Sequence, residues 1–147
     1  MIYQEIKDDL FKHLCTEYDE PTSSKRVGVH CISADFAMSG GIAVPMAKKF
    51  SLRNALSCFY NVKSPTCIFV NNVMNLITKD NVWDTPTYKS LAASLVKCRE
   101  ICEEEGIKYL AMPKIGCGID GLEWFTVKTL IKEVFKDTDI DILVCML

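Results

Sequence analysis

KYLAMPKIGCGIDGLEWFTVKTLIKEVFK, residues 108–136, contains the pattern that decides the fold class. Residues 108–112 are a short apolar run that predicts a strand, and the glycine-rich residues 113–121 predict a loop. Over residues 123–136 the apolar side chains Val127, Leu130 and Ile131 recur at three- and four-residue spacing, which predicts an amphipathic helix. A strand followed by a loop and a helix is the repeating unit of α/β proteins.

The rest of the chain continues this alternation. Asn71-Asn72 separates two apolar runs, and because asparagine tolerates positive φ this pair predicts a tight hairpin turn. Gly106 predicts the end of a long helix. Further strands are predicted at 1–6, 26–32, 66–70, 73–78 and 140–147, and further helices at 8–14, 42–50, 51–60 and 87–105. The pattern indicates one domain over residues 1–147, an α/β fold of three layers with a mixed sheet between helices.

Composition excludes several classes of protein. With 147 residues, 49% hydrophobic and 24% charged, the chain is typical of a soluble globular domain. The net charge of -2 argues against a surface built for tight, non-specific nucleic-acid binding. No run approaches the roughly 18–20 apolar residues of a membrane span, and the N-terminus lacks the pattern of a signal peptide.

The eight cysteines are scattered, without closely spaced pairs, and several lie in apolar runs. This spacing disfavours a disulfide framework or a zinc site and predicts reduced core cysteines in an intracellular protein. We expect a monomer that needs neither a metal nor a cofactor.

Two glycine-containing loops, residues 33–41 and 113–121, follow predicted strands and precede predicted helices. Backbone N–H groups and helix N-termini bind phosphates at such positions in α/β sheets. The second loop contains Gly116-x-Gly118-x-x-Gly121, but only one helix and one strand follow it, which disfavours a dinucleotide-binding Rossmann domain. P-loop and nucleophile-elbow motifs are absent. The two loops together favour a nucleotide that carries a pyrophosphate.

Five polar residues are candidates for chemistry, and three of them have two interpretations each. Lys79 is either solvated or an amine nucleophile, and Asp120 either caps the following helix or acts as a general acid or base. Asp35 is consistent with a turn residue, and Asp9 with a helix cap or an acceptor for an exocyclic amine. His30 lies in an apolar run, which favours a buried histidine with one hydrogen bond.

Five motifs in order carry a family resemblance: His30-Cys31-Ile32-Ser33, Met38-Ser39-Gly40-Gly41-Ile42-Ala43, Leu76-Ile77-Thr78-Lys79, Pro86-Thr87-Tyr88 and Met112-Pro113-Lys114-Ile115-Gly116-Cys117-Gly118-Ile119-Asp120. Together they resemble a macrodomain of the terminal ADP-ribose protein glycohydrolase type. The likeness extends from Asp9-Leu10-Phe11 to the last predicted strand. It implies a mixed sheet between helices, with ADP-ribose bound across the C-terminal ends of the strands.

The resemblance also implies roles for individual residues. In that family the lysine attacks the anomeric carbon of the distal ribose and the aspartate resolves the lysyl adduct, which assigns these roles to Lys79 and Asp120. Relatives usually read Met-Gly-Ala-Gly where this chain has Ser39 after Met38, so the first loop is expected to be strained if Ser39 needs positive φ. The implied ADP-ribose contacts are Asp9, Leu10, Ile32, Ser33, Gly40, Gly41, Ile42, Thr78, Pro113, Ile115, Gly116, Cys117, Gly118 and Ile119.

The function implied is hydrolysis of ester-linked ADP-ribose, on glutamyl or aspartyl side chains or in O-acetyl-ADP-ribose. The expected partners are ADP-ribose and ADP-ribosylated proteins. One alternative is a non-catalytic module that only recognises ADP-ribose. Another is a hydrolase of ADP-ribosylated DNA bases, for which Lys48, Lys49 and Arg53 would supply a local basic cluster.

Overall fold

Six strands form a single mixed sheet in the computed structural model, which describes residues 1–147. The strands are β1 (Ile2–Lys7), β2 (Val27–Ser33), β3 (Thr66–Val70), β4 (Val73–Lys79), β5 (Tyr109–Met112) and β6 (Asp141–Met146). Their spatial order is β1-β6-β5-β2-β4-β3. All neighbours are parallel except β3 and β4, which form an antiparallel hairpin at one edge.

Helices cover both faces of this sheet. They are α1 (Ala43–Lys49), α2 (Leu52–Leu56), α3 (Tyr88–Glu105) and α4 (Trp124–Phe135), together with a short 3-10 helix at Leu10–His13. One apolar cluster joins α3 and α4 to one face of the sheet, and a second joins α1, α2 and the 3-10 helix to the other. The predicted three-layer α/β/α architecture with a mixed sheet is confirmed.

Side chains on neighbouring positions of a strand enter opposite clusters. In β6, Ile142 and Val144 pack under α3 and α4, whereas Leu143 and Cys145 pack under the other helices. Because successive Cβ atoms of a strand point to opposite faces, a run that is apolar at every position is buried on both sides. The interior strands are therefore mostly apolar on both faces, and His30 and Asn75 are buried polar exceptions.

The predicted hairpin between β3 and β4 is confirmed. Asn71 and Asn72 have φ angles of 50° and 60°, and Val70 pairs with Val73 across the turn. One predicted helix is too long: residues 51–60 were expected to be helical, but α2 ends at Leu56. Leu52 and Leu56 are its buried residues, and no buried side chain follows at helical spacing to hold another turn.

The cysteines lie mostly in the core, as predicted. Cys67, Cys98 and Cys102 belong to the cluster under α3, Cys145 belongs to the opposite cluster, and Cys15 is also buried. None of the helices combines the length and apolar composition needed to cross a membrane.

The strand order places three chain segments side by side. β2 lies between β5 and β4, and all three strands are parallel. Because parallel strands end at the same edge of a sheet, the segments that follow β2, β4 and β5 meet there. These segments are the two glycine loops and the residues after Lys79.

Candidate active site

A cleft of about 470 Å³ opens at this edge of the sheet, between the two glycine loops. Lys79 and Asp120 both line it. Ten of the residues predicted to contact ADP-ribose line it as well: Ile32, Ser33, Gly40, Gly41, Ile42, Pro113, Ile115, Gly116, Gly118 and Ile119. The structure thus brings the two loops and both predicted catalytic residues to one cavity. Their roles toward a ligand stay predictions.

Lys79 and Asp120 form an ion pair inside the cleft. The ammonium Nζ of Lys79 donates to Oδ1 of Asp120 at 2.7 Å, and the two side chains are only 11% and 15% exposed. Asp120 does not cap α4, since the residue at the cap position, Glu123, makes no side-chain capping bond and Asp120 faces Lys79 instead. A carboxylate in contact with an ammonium can accept its proton and release a free amine.

The first loop is held by Asp35 at its turn, as predicted. Its carboxylate accepts hydrogen bonds from the Ser33 hydroxyl, from the Ala37 N–H at 3.1 Å and from the Val82 N–H at 2.9 Å. Partial burial raises the pKa of Asp35, but these hydrogen bonds outweigh it and the net pKa is lowered. Asp35 therefore joins the first loop to the segment that follows Lys79.

Arg53 also supports the first loop, from the side of α2. Its guanidinium donates to the carbonyl oxygen of Ala37 at 2.7 Å and to that of Met38 at 3.3 Å. In the sequence Arg53 belongs to a basic cluster with Lys48 and Lys49. The structure gives its guanidinium carbonyl partners within the protein, so it is not a freely presented cation.

The strain expected at Ser39 is absent. Ser39 does not adopt positive φ; that conformation occurs on either side of it, at Met38 with φ of 44° and at Gly41 with φ of 60°. A Cβ at Gly40 would lie 2.7 Å from Cδ1 of Ile119 in the second loop, so a larger residue at position 40 would displace the end of this exposed side chain. The two loops therefore approach each other at Gly40.

The second loop is closed on itself by backbone hydrogen bonds. The Leu122 N–H donates to the Gly116 carbonyl at 2.8 Å, and the Gly121 N–H donates to the Gly118 carbonyl at 3.1 Å. Gly116 has φ of 73°, and a Cβ there would lie 3.0 Å from Cδ1 of Leu122. A glycine thus fits both the conformation and the space at this position.

The family model described as "Macro domain" matches residues 29–131. This chain belongs to the macro domain family. The bovine protein named ADP-ribose glycohydrolase OARD1 is 37% identical over 142 residues, which cover 95% of this chain and 88% of the bovine protein.

Solved structures agree with this assignment. The macrodomain of Mycobacterium tuberculosis DarG superposes with a TM-score of 0.80 at 18% identity, covering 98% of this chain and 97% of that one. Thermosipho africanus DarTG, solved in complex with ADP-ribose, gives a TM-score of 0.77 at 17% identity, covering 99% of this chain and 42% of that one. Likeness at such low identity shows the fold alone.

Four residues predicted to contact ADP-ribose do not line the cleft of this macro domain. Asp9 caps the 3-10 helix by accepting the Phe11 N–H at 3.0 Å, and Leu10 is buried in the core. Thr78 is buried, with an Oγ1 that has no hydrogen-bond partner. Cys117 is half-buried and donates to the Ile115 carbonyl at 3.4 Å. Burial raises the pKa of the Cys117 thiol, although Lys114 opposes this shift, so the sulfur stays protonated at neutral pH.

His30 is a core residue of the macro domain, as predicted. It is completely buried, and its Nε2 lies 2.6 Å from Oδ1 of Asn75 on the neighbouring strand. Burial lowers the pKa of His30 to about 4, although the hydrogen bond to Asn75 opposes the shift. The imidazole is therefore neutral at physiological pH.

Several residues line the cleft without having been predicted as contacts: Cys31, Met38, Ala43, Val82 and Lys114, together with Ser39. Cys31 and Lys114 adjoin predicted contacts, so proximity along the chain was the available signal. Val82 is different, because no glycine and no motif marks the segment after Lys79. Its position depends on the hydrogen bond from its N–H to Asp35, which links residues 47 positions apart.

Proposed function

We propose that this macro domain is a hydrolase that releases ADP-ribose from ester linkages, in glutamyl or aspartyl conjugates of proteins or in O-acetyl-ADP-ribose. The observation that carries the proposal is the ion pair between Lys79 and Asp120 at 2.7 Å, inside a cleft between two glycine loops. The name of the bovine relative, ADP-ribose glycohydrolase, and the ADP-ribose complex of Thermosipho africanus DarTG agree with it.

The cleft suits a diphosphate held mainly by backbone groups. Glycines at positions 40, 41, 116 and 118 line it, so main-chain N–H groups can approach a ligand closely. Donors fixed in advance by a closed loop need no reorganisation when the ligand binds. Binding of the diphosphate would hold the distal ribose at the end of the cleft where Lys79 and Asp120 meet.

The reaction then takes place in two displacements. Asp120 accepts a proton from the Lys79 ammonium, and the free amine attacks the anomeric carbon as the bond to the ester oxygen breaks. The acceptor takes up the proton held by Asp120 and leaves as a carboxylic acid, and ADP-ribose stays attached to Lys79 through a C–N bond. Asp120, again a carboxylate, takes a proton from a water molecule that attacks the same carbon. The bond to nitrogen breaks, the proton passes to the lysine amine, and ADP-ribose is released. Close contact of the two side chains allows both proton transfers.

Substitution of the ion pair tests this mechanism. Lys79→Ala removes the nucleophile and Asp120→Ala removes the proton acceptor, so each should lower kcat on a peptide carrying glutamyl-ADP-ribose by about 10²–10⁴-fold. Binding of ADP-ribose, measured by calorimetry, should remain within about tenfold of wild type, because both variants keep the two loops. Asp120→Ala should also accumulate protein with the mass of one attached ADP-ribose.

Lys114→Ala is the matched control, because Lys114 lines the same cleft but is solvent-exposed and has no ion pair with Asp120. It should keep kcat within a few-fold of wild type. Full activity of both Lys79→Ala and Asp120→Ala would disprove the mechanism. A wild-type protein that binds ADP-ribose but hydrolyses no ester would be a reader module. Turnover confined to ADP-ribosylated DNA would instead support the nucleobase alternative.

A further inference from the structure

Three exposed apolar side chains lie in, or next in the chain to, the lining of the cleft that holds Lys79. Val82 and Ile119 line the cleft and are 39% and 79% exposed, and Trp83, next to Val82, is 78% exposed. Tryptophan side chains are highly buried on average in folded proteins. Adjacent exposed apolar side chains at the mouth of a cleft are typical of a binding surface. We call Val82, Trp83 and Ile119 the apolar rim.

The segment that carries Trp83 is fixed in place. The Val82 N–H donates to Oδ2 of Asp35 at 2.9 Å, which fastens the segment to the first loop. Two hydrogen bonds between Asn81 and Asp84 hold the segment in a turn. The Asp84 carboxylate accepts the Asn81 N–H at 2.9 Å, and the Asp84 N–H donates to the Asn81 carbonyl at 3.0 Å. Trp83 is thus held exposed by an ordered backbone. Aromatic side chains have only two χ angles, so they lose little entropy on binding, and they frequently dominate interface energies.

The place of the rim relative to the proposed reaction indicates what it contacts. Trp83 follows Lys79 by four residues and does not line the cleft. ADP-ribose fills the cleft in the proposed function, and the acceptor is joined to the carbon that Lys79 attacks. A macromolecular acceptor is too large for the cleft, so it must leave across the surface next to Lys79. Val82 and Ile119 line the same cleft as Lys79, and Val82 and Trp83 follow Lys79 closely in the chain, so the apolar rim borders that surface.

We propose that the apolar rim binds the polypeptide that carries the ADP-ribosyl ester, and that Trp83 is a specificity-determining residue for protein-linked substrates. This inference rests on the proposed function, since it takes Lys79 as the site of attack. Tryptophan offers a large apolar face that packs on aliphatic or aromatic side chains and also accepts cationic ones. A polypeptide supplies such groups on either side of the modified residue.

The charges near Trp83 favour a polypeptide over a nucleic acid. Asp80 and Asp84 flank the rim in the chain, whereas the cleft lining holds two cations, Lys79, which is paired with Asp120, and Lys114. Carboxylates within a Debye length repel a phosphodiester backbone. Asp80 accepts the Ser64 N–H at 2.8 Å, and Asp84 is fixed by Asn81, so neither side chain is free to turn away.

The test compares a macromolecular substrate with a small one. For Trp83→Ala, we expect the KM for a glutamyl-ADP-ribosylated peptide to rise about tenfold, the usual scale for truncating an interface tryptophan. The KM for O-acetyl-ADP-ribose should stay within twofold, because this ester has no acceptor chain to reach the rim. Tyr60→Ala is the matched control: Tyr60 is 81% exposed and does not line the cleft, so neither KM should change.

Equal effects of Trp83→Ala on both substrates, or none on either, would overturn the inference. A Trp83-dependent preference for ADP-ribosylated single-stranded DNA over the peptide would also overturn it, in favour of a nucleic-acid acceptor. Binding to the Lys79→Ala variant separates this inference from the proposed function, since it needs no turnover. Tighter binding of the modified peptide than of free ADP-ribose, lost in the Trp83→Ala double variant, supports the rim even if wild-type protein hydrolyses nothing.

Discussion

Three loop aspartates show how partners decide the role of a residue. Asp9 caps a short helix, Asp35 joins two loops, and Asp120 pairs with a lysine 41 positions away in the chain. Capping or turn formation was open for each of them in the sequence, because a short carboxylate next to a turn can bond to the local backbone. Only the contact with Lys79, made through the sheet, distinguishes Asp120. Local sequence left two roles open for Asp9 and for Asp120; the structure shows the capping role for Asp9 and excludes it for Asp120.

His30 makes the stability of the fold depend on pH. Its pKa is about 4 in the folded protein against an ordinary value of 6.5, so between these values the unfolded chain binds the proton and the folded chain does not. Stability should therefore fall as the pH drops below neutral. Protonation of His30 in the unfolded chain should lower the free energy of unfolding by about 2 kcal/mol between pH 7 and pH 5.

Urea unfolding at the two pH values measures this effect. From pH 7 to pH 5, the free energy of unfolding should fall by about 2 kcal/mol more in the wild type than in His30→Gln, since glutamine does not titrate. A titration of the ring protons by NMR serves if the variant folds poorly: the His30 resonance should not shift above pH 5. Parallel pH curves for the two proteins, or a ring that titrates near pH 6.5, would contradict the assignment.

At the scale of elements, sequence patterns identified every strand and most helix boundaries. Apolar runs predicted the strands because interior strands are buried on both faces. Asn71-Asn72 predicted the hairpin because both residues adopt positive φ. The order of strands was not predicted, since it depends on contacts between distant segments. The segment after Lys79 was missed too, because its conformation comes from Asp35 in another loop.

Helix α3 begins with a capping box, in which two side chains cap each other's backbone N–H groups. The Thr87 hydroxyl accepts the Ser90 N–H at 3.0 Å, and the Ser90 hydroxyl accepts the Thr87 N–H at 3.0 Å. Thr87→Ala should lower the free energy of unfolding by about 1 kcal/mol, measured by urea denaturation. Thr85→Ala, at an exposed position two residues earlier, is the control and should have almost no effect. Equal losses in both variants would refute the capping role.

At the scale of the whole molecule, the two ends of the parallel strands have different roles. The cleft lies at the C-terminal ends of the parallel strands, and the opposite edge holds Arg26 just before β2. Its guanidinium is almost fully buried and donates to Oδ1 of Asp141 at 2.8 Å and to the Ser23 carbonyl at 2.9 Å. Arg26 thus ties the starts of β2 and β6 together, far from the proposed site.

Removing this guanidinium should affect stability and leave ligand binding intact. Arg26→Ala leaves the partly buried carboxylate of Asp141 without its ion-pair partner. We therefore expect the free energy of unfolding to fall by roughly 3–5 kcal/mol. ADP-ribose affinity of the folded fraction should equal that of wild type. Lys97→Ala removes an exposed pair with Glu100 and should cost about 1 kcal/mol or less. A changed affinity in Arg26→Ala would show that the two edges are coupled.

The position of β6 has a consequence for how the chain is made. The last strand in the sequence lies between β5 and β1, and β1 has no other partner in the sheet. A nascent chain on the ribosome can assemble β2 to β5 with their helices, but β1 stays unpaired until β6 has been made. The sheet is therefore completed only after β6 leaves the ribosome, and until then the β1 segment is accessible to chaperones.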